Sequence, residues 1–266
     1  TVIIIFIPFV IVSFFKIDKK EEINLNYESN TIIRVKRLSS GEIEYLPFEE
    51  YIVGVLAGEM PIYFEKEALK AQAVAARSYA LKKIEYNKDN EYDVVDSVLN
   101  QVYLDNHYLK EAWGNKYVDN INKLREAVND TSLEYLDYNG EVIDALFFST
   151  SNGYTENSSL VFNIDLPYLQ SVTSMWDSST SSAFRSTKKI SSSDFYSSLG
   201  LEKSNILNFK VLKRSTTNRI LNLSINSTEF TGRELYDKLG LKSTDFSLKQ
   251  DGDTIIIDTV GYGHGG

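Results

Sequence analysis

The chain has 266 residues, 42% of them hydrophobic, and a formal net charge of −9. It is long enough to bury a large core in one domain or two lobes, and with no basic excess to neutralise phosphates it is read as binding no nucleic acid. Without cysteine, and with His107 and His264 as its only histidines, it excludes disulfides, thiolate metal sites and a histidine-rich metal site.

The sequence opens TVIIIFIPFVIVSFFKIDKK, apolar through Phe15 apart from Thr1 and Ser13. As a helix this run would reach only about 22 Å, short of the roughly 30 Å hydrocarbon core, and a few further apolar residues would complete a span. We read residues 1–15 as the end of a transmembrane anchor, with a cleaved signal peptide and a buried element as alternatives. Residues 16–30 read as a polar linker.

TIIRVKRL and EIEYLPF, on either side of Ser39-Ser40-Gly41, predict a β-hairpin. PFEEYIVGVLAGE predicts a helix with Pro47 at its first position, ending near Glu59 because Pro61 forces the preceding residue out of helical angles. A carboxylate at a helix C-terminus faces partial negative charge, which nudges its pKa upward. Glu59 therefore either points into water or serves a site that wants a protonatable carboxyl, and Gly58 beside it would let a ligand approach the backbone.

EKEALKAQAVAARSYALKKIEY predicts a long alanine-rich helix with Ala68, Gln72, Ala75 and Tyr79 on one stripe. KYVDNINKLREAVNDT predicts another helix. YNGEVIDALFFSTSNGYTENS then predicts a turn at Asn139-Gly140, a strand, and a loop rich in glycine and hydroxyls. Beyond Trp176 the composition shifts toward serine and threonine, marking a second, smaller lobe, and a last hairpin around Asp251-Gly252 leads to GYGHGG. The lobes are drawn at 31–172 and 173–249, with 250–266 returning to the core.

Serine chemistry in the Ser149-Thr150-Ser151 loop lacks a GxSxG elbow and a nearby histidine. A hydrolytic glycosidase would need a second carboxylate, for which Asp96, Glu156 and Asp165 are candidates.

The run LPFEEYIVGVLAGEMPIYFEKEALKAQAVAARSYAL, Leu46 to Leu81, resembles the signature of the stage II sporulation protein D family, which includes the LytB-type amidase enhancer. The resemblance continues through Gln101–Tyr103, Phe148–Ser158, Pro167–Val172, Thr231–Leu235 and Gly261–Gly265. It implies an α+β, two-lobed fold with a glycan-binding groove, a membrane-anchored and extracytoplasmic location in the septal intermembrane space of a sporulating Gram-positive cell, and a part in septal remodelling during engulfment. It also implies a SpoIIP-type amidase and a SpoIIM-type membrane protein as partners.

In that family the Glu matching Glu59 is the catalytic acid of a lytic transglycosylase that cuts peptidoglycan glycan strands. One carboxyl could protonate the leaving glycosidic oxygen and then take the proton of the muramyl C6 hydroxyl as a 1,6-anhydro ring closes. The resemblance also implies substrate contacts from Gln72, Arg77, Tyr79, Ser149, Thr150, Ser151, Gly153 and His264. Arg77 could pair with a substrate carboxylate or an internal one, and His264 could be structural. The Glu59 carboxyl and the Ser149–Gly153 loop are expected on one groove wall.

Some relatives bind zinc through Cys and His in the stretch matching DVVDSVLNQVY, where this chain has Val95, Leu99 and Asn100, and Phe148 stands where relatives commonly have His. No metal or other cofactor is expected, although Asp93 and Asp96 could offer an oxygen-rich site. The different-class alternative is a non-catalytic amidase enhancer that binds glycan.

Overall fold

In the computed structural model, which describes residues 21–26 and 30–263, the contacts divide the chain into two compact units between Leu146 and Phe147. That division falls earlier in sequence than the expected boundary after Val172. The hydroxyl-rich loop makes its backbone pairings with Val172–Ser174 and Tyr262, so it belongs with the chain that follows it.

The first unit begins with the expected hairpin, β1 (Ile32–Lys36) and β2 (Ile43–Pro47), antiparallel with Arg34 opposite Tyr45. Gly41 takes φ +77° in its turn, a conformation that glycine adopts without strain. A short strand, β3 (Val94–Val95), pairs in parallel with β1 on its other side. Helix α1 (Phe48–Glu59) follows β2 directly, with Pro47 as its N-cap in extended geometry rather than its first helical residue.

Helix α2 (Lys66–Tyr86) and helix α4 (Tyr117–Asp130) pack on α1 and on each other. The face α2 buries is Leu69, Ala73, Ala76 and Ala80, one position along from the expected stripe. Small side chains there let Ile52 and Leu56 of α1 and Ile121, Leu124 and Val128 of α4 reach the helix closely. The expected stripe missed this because it followed Gln72, whereas the core follows Leu69.

Helix α3 (Asn106–Trp113), not foreseen, is capped by Asp105, whose Oδ1 accepts the Tyr108 N–H at 2.8 Å. Residues 21–26, expected within a linker, lie along α4. Asn122 Oδ1 accepts the Ile23 N–H at 2.8 Å while its Nδ2 donates to the Glu21 carbonyl, and Asn129 repeats the exchange with Asn26 and Asn24. Two asparagines two helical turns apart thus serve an extended segment as a neighbouring strand would, and Leu25 is buried in the core. The expected anchor, residues 1–15, lies outside the described residues. Among those described, no helix is long and apolar enough to cross a membrane.

Asn139 and Gly140, at φ +56° and +83°, form the expected turn. It joins two-residue strands, β4 (Asp137–Tyr138) and β5 (Glu141–Val142), instead of opening a full strand.

The second unit holds helix α5 (Ser158–Phe162), helix α6 (Asp177–Thr180) and two three-stranded antiparallel sheets. One sheet sets β11 (Thr254–Val260) between β10 (Phe246–Asp251) and β6 (Arg185–Ser191). The other orders β7 (Phe209–Arg214), β8 (Ile220–Ile225) and β9 (Thr228–Thr231). Alternation in β11 buries Ile255 and Ile257 against Phe195 and Leu199 of α7 (Ser192–Leu199) and Leu235 and Leu239 of α8 (Gly232–Leu239). The last hairpin turns at Gly252-Asp253, one residue later than expected, since Asp251 pairs with Thr254. The C-terminal stretch therefore extends the second unit. The whole is α+β, as the sequence predicts.

Candidate functional site

Glu59 is the last residue of α1, and the helix stops where Pro61 requires: Met60 is extended, at φ −121° and ψ 133°. The Glu59 side chain is partly buried, and its Oε1 accepts the Val102 N–H at 2.6 Å. Two glycines one turn apart on α1 make that contact possible. A Cβ on Gly58 would lie 2.4 Å from the Val102 carbonyl oxygen, and one on Gly54 would lie 2.3 Å from the Tyr103 ring. The Leu104 N–H also bonds the Gly54 carbonyl, at 3.1 Å. Gly58 thus admits the protein's own chain, where the sequence suggested an approaching ligand.

The segment Val95–Leu104 is pinned from both sides. Gln101, fully buried, accepts from the Tyr51 hydroxyl at 3.1 Å and donates to the Ala76 carbonyl at 3.3 Å. Tyr51 stacks on Tyr103 with ring centroids 5.4 Å apart. Asn100 accepts the Val95 N–H at 2.9 Å and donates to the Tyr79 hydroxyl at 3.0 Å. Tyr79 is buried there.

Burial raises the Glu59 pKa, and the hydrogen bond from Val102 opposes the rise without cancelling it. Burial is therefore what favours the protonated carboxyl. The same burial, reinforced by Tyr79 and Glu59, lifts the Tyr51 hydroxyl well above its usual value. Because Oε1 is held as an acceptor, the neutral acid carries its proton on Oε2, for which the described residues supply no hydrogen-bond partner.

Arg77 is 2% exposed and meets an internal carboxylate: Nε and Nη2 grip Glu49 at 3.1 and 2.9 Å, and Nη1 donates to the Glu134 carbonyl at 3.0 Å. Gln72 has a buried Nε2 without a partner among the described residues. Asp96 bonds Arg37 Nε at 2.9 Å, Asp93 pairs with Arg34, and Glu156 lies buried against Arg219 at 3.7 Å. Asp165 is exposed. Among the described residues, no group of three Asp, Glu or His side chains is placed to hold a metal ion.

In the second unit the hydroxyl-rich loop mostly holds itself. Thr150 Oγ1 bonds Ser181 Oγ at 2.8 Å, and the Ser151 N–H donates to Asp177 at 2.7 Å while its hydroxyl reaches the Ser174 carbonyl. Asn152 donates to the Thr217 carbonyl at 2.7 Å and to Asp245 at 2.9 Å. Gly153, at φ +113°, is buried against Met175. Of the four loop residues expected at substrate, only Ser149 is exposed. Thr150 and Tyr262 exchange backbone hydrogen bonds at 2.9 and 2.7 Å, which brings the GYG stretch beside this loop. His264 lies outside the described residues. Glu59 belongs to the first unit and the loop to the second.

Sequence reading did not single out Val102 or Tyr51. The glycine pair Gly54 and Gly58, four apart on an otherwise apolar helix, is the signal that could have pointed to a close backbone neighbour.

Comparison with known proteins gives one family. A family model described as stage II sporulation protein matches residues 37–138. Stage II sporulation protein D of Bacillus subtilis is 40% identical over 239 residues, covering 88% of this chain and 69% of that protein. The protein of the same name from Bacillus amyloliquefaciens is 39% identical over 243 residues, covering 90% and 70%. An amidase enhancer of Bacillus subtilis is 39% identical over 116 residues, 44% of this chain and 14% of that protein. With identity of this level running through both units, the chain belongs to the stage II sporulation protein D family.

Proposed function

We propose that the protein is a peptidoglycan lytic transglycosylase that cleaves the MurNAc–GlcNAc bond with Glu59 as its single acid and base. The observation that carries this reading is the Glu59 carboxyl itself, with a pKa raised by burial, one oxygen fixed on Val102 and the other without a partner among the described residues. Oε2–H donates its proton to the glycosidic oxygen as the bond from C1 to that oxygen breaks. The C6 hydroxyl oxygen closes on C1, and its proton passes to the Glu59 carboxylate. The acid is regenerated, no water is consumed, and the new end is a 1,6-anhydro ring. General acid–base help of this kind is worth about 10²–10⁴ in rate.

Family membership supports a role in sporulation. We extend it to remodelling of septal peptidoglycan during engulfment, alongside a SpoIIP-type amidase and a SpoIIM-type membrane protein, from an extracytoplasmic position anchored through the apolar residues 1–15. Ser149, Gln72 and His264 are assigned to glycan binding in the same reading. Mass spectrometry of purified glycan strands after digestion tests the chemistry: anhydro-muramyl ends are expected, and reducing ends would replace it with hydrolysis.

A second reading, a glycan-binding module that stimulates an amidase, draws on the 116-residue similarity to the amidase enhancer. It predicts intact strands after digestion, and stimulation of a partner amidase that survives Glu59→Gln.

A further inference from the structure

Trp113 and Trp176 are the only tryptophans in the chain, and they are used differently. Trp113 is partly buried at the edge of the first unit's core, 6.4 Å from the Tyr117 ring. Trp176 is 63% exposed. Leaving so large an apolar ring in water forgoes the stabilisation that burial gives.

The backbone beneath Trp176 is fixed. Its carbonyl accepts hydrogen bonds from the Ser179 and Thr180 N–H groups at 3.0 and 3.1 Å and from both their hydroxyls at 2.9 Å. The stretch Ser174–Ser181 is also sewn to the hydroxyl-rich loop along its length. The Ser174 N–H bonds the Gly153 carbonyl at 2.8 Å, Asp177 accepts the Ser151 N–H, and Ser181 bonds Thr150. Gly153 lies at φ +113°, and a Cβ there would stand 3.3 Å from Met175 Sδ, so the residue preceding Trp176 lies directly on the loop. An exposed indole thus sits on a hydrogen-bonded turn, and Ser149, Ser178, Ser179 and Thr180 are exposed residues in the segments around it.

We infer that Trp176 is a saccharide-stacking platform, against which one hexosamine ring of a glycan strand lies beside the Ser149–Gly153 loop. This rests on the glycan-directed function proposed above. The axial C–H groups of a pyranose make one face apolar and weakly positive, complementary to the negative face of an indole, while its equatorial hydroxyls need polar neighbours at the ring's edge. Trp176 offers the first, and the hydroxyls of Ser178, Ser179 and Thr180, which donate to the Met175 and Trp176 carbonyls, keep oxygen lone pairs that can accept from sugar hydroxyls. Preorganisation by the four hydrogen bonds on its carbonyl keeps the ordering cost of binding low.

The test uses the full chain carrying Trp113→Phe, so that Trp176 is the sole indole emitter, titrated with an N-acetylglucosamine tetramer. A saturable change in emission is expected. By calorimetry, Trp176→Ala should bind about tenfold more weakly, the scale of one aromatic contact, and Trp176→Tyr should recover most of the loss. If Trp113→Phe does not fold, wild type against Trp176→Phe gives the same contrast by difference.

Unmoved emission where calorimetry shows saturation, equal affinity of Trp176→Ala and wild type, or no binding of the tetramer by either method would overturn the platform. So would a Trp176→Ala variant that loses only self-association. Cleavage of glycan strands, followed separately, keeps the two readings apart. Cleavage with a silent Trp176 removes the platform and leaves the enzyme, whereas a responsive Trp176 without cleavage leaves the platform and removes the enzyme.

Discussion

The Val102 N–H donates to Oε1 of Glu59 at 2.6 Å across 43 positions of sequence, and that bond decides which oxygen of the carboxyl can hold a proton. A carboxyl free to rotate would present its proton in several directions. Here one oxygen is spent on the backbone and the pKa still lies above the ordinary value because burial outweighs the bond. Structure thus shifts the carboxyl toward its protonated form and selects the atom that carries the proton.

Glu59→Gln should abolish glycan cleavage and leave the fold intact, since the amide oxygen still accepts from Val102 while no proton can be given. A loss of about 10²–10⁴ in rate or more is expected. Glu59→Ala should cleave no better but melt lower, by about 1–3 kcal/mol, because the Val102 N–H then loses its acceptor. Circular dichroism melts beside turnover separate the two. Cleavage by a folded Glu59→Gln would end the assignment.

Gly58→Ala should disable the site without touching the acid. Its new methyl would fall 2.4 Å from the Val102 carbonyl oxygen, and backbone cannot move aside as a side-chain tip can. Relief requires Gln101–Leu104 to lift from α1, which takes the Val102 N–H away from Glu59. We expect about 1–3 kcal/mol of destabilisation, the usual cost of overpacking, together with a fall in cleavage. Gly41→Ala is the control: nothing lies within 4 Å of its Cβ, so only the strain of φ +77° is felt. Equal stability and activity in Gly58→Ala and wild type would show that the loop does not hold the carboxyl.

Glu59 also fixes the direction of a pH dependence. Its folded-state pKa is raised, so the native chain holds this proton where the unfolded chain has released it. The contribution to stability is complete below the unfolded value and is lost as pH climbs through the folded one. Activity should follow the same limb, with kcat/KM declining on the alkaline side as the acid form is titrated. Stability curves of wild type and Glu59→Gln should diverge across that window and run parallel outside it. A limb that persists in the stability of Glu59→Gln belongs to another group.

The proline stop after α1 was legible because it acts within three residues, as were the first hairpin and the Asn139-Gly140 turn. What Glu59 meets was not legible, because Val102 reaches it through a loop whose path is set by packing around Gln101, Tyr51 and Tyr103. The alanine stripe was read one position off for a related reason: alanine fits almost any face, and only the contact with α1 and α4 decides between Ala75 and Ala76. Polar residues misled in the opposite sense. Thr150 and Ser151 look like a ligand-facing pair in sequence, yet their hydrogen bonds go to Ser181, Asp177 and Ser174. Hydroxyls that shape a loop and hydroxyls that face a ligand have the same letters.

Arg77 gives a sharp test of that ambiguity, since the sequence left its partner open. Nε and Nη2 of its guanidinium hold Glu49 inside the first unit, so Arg77→Met should strand a buried carboxylate and cost about 3–5 kcal/mol. Arg77→Lys should also destabilise, because an ammonium cannot reproduce the paired contacts. The decisive variant removes both charges: Arg77→Met with Glu49→Leu should regain much of the lost stability, as an apolar pair of similar volume often matches a buried ion pair. Thermal unfolding of the two singles and the double forms a mutant cycle whose coupling should be clearly non-zero. If the double variant regains stability and its KM for glycan strands matches wild type, Arg77 is a structural residue. A KM that rises in a stable double variant would return Arg77 to the substrate.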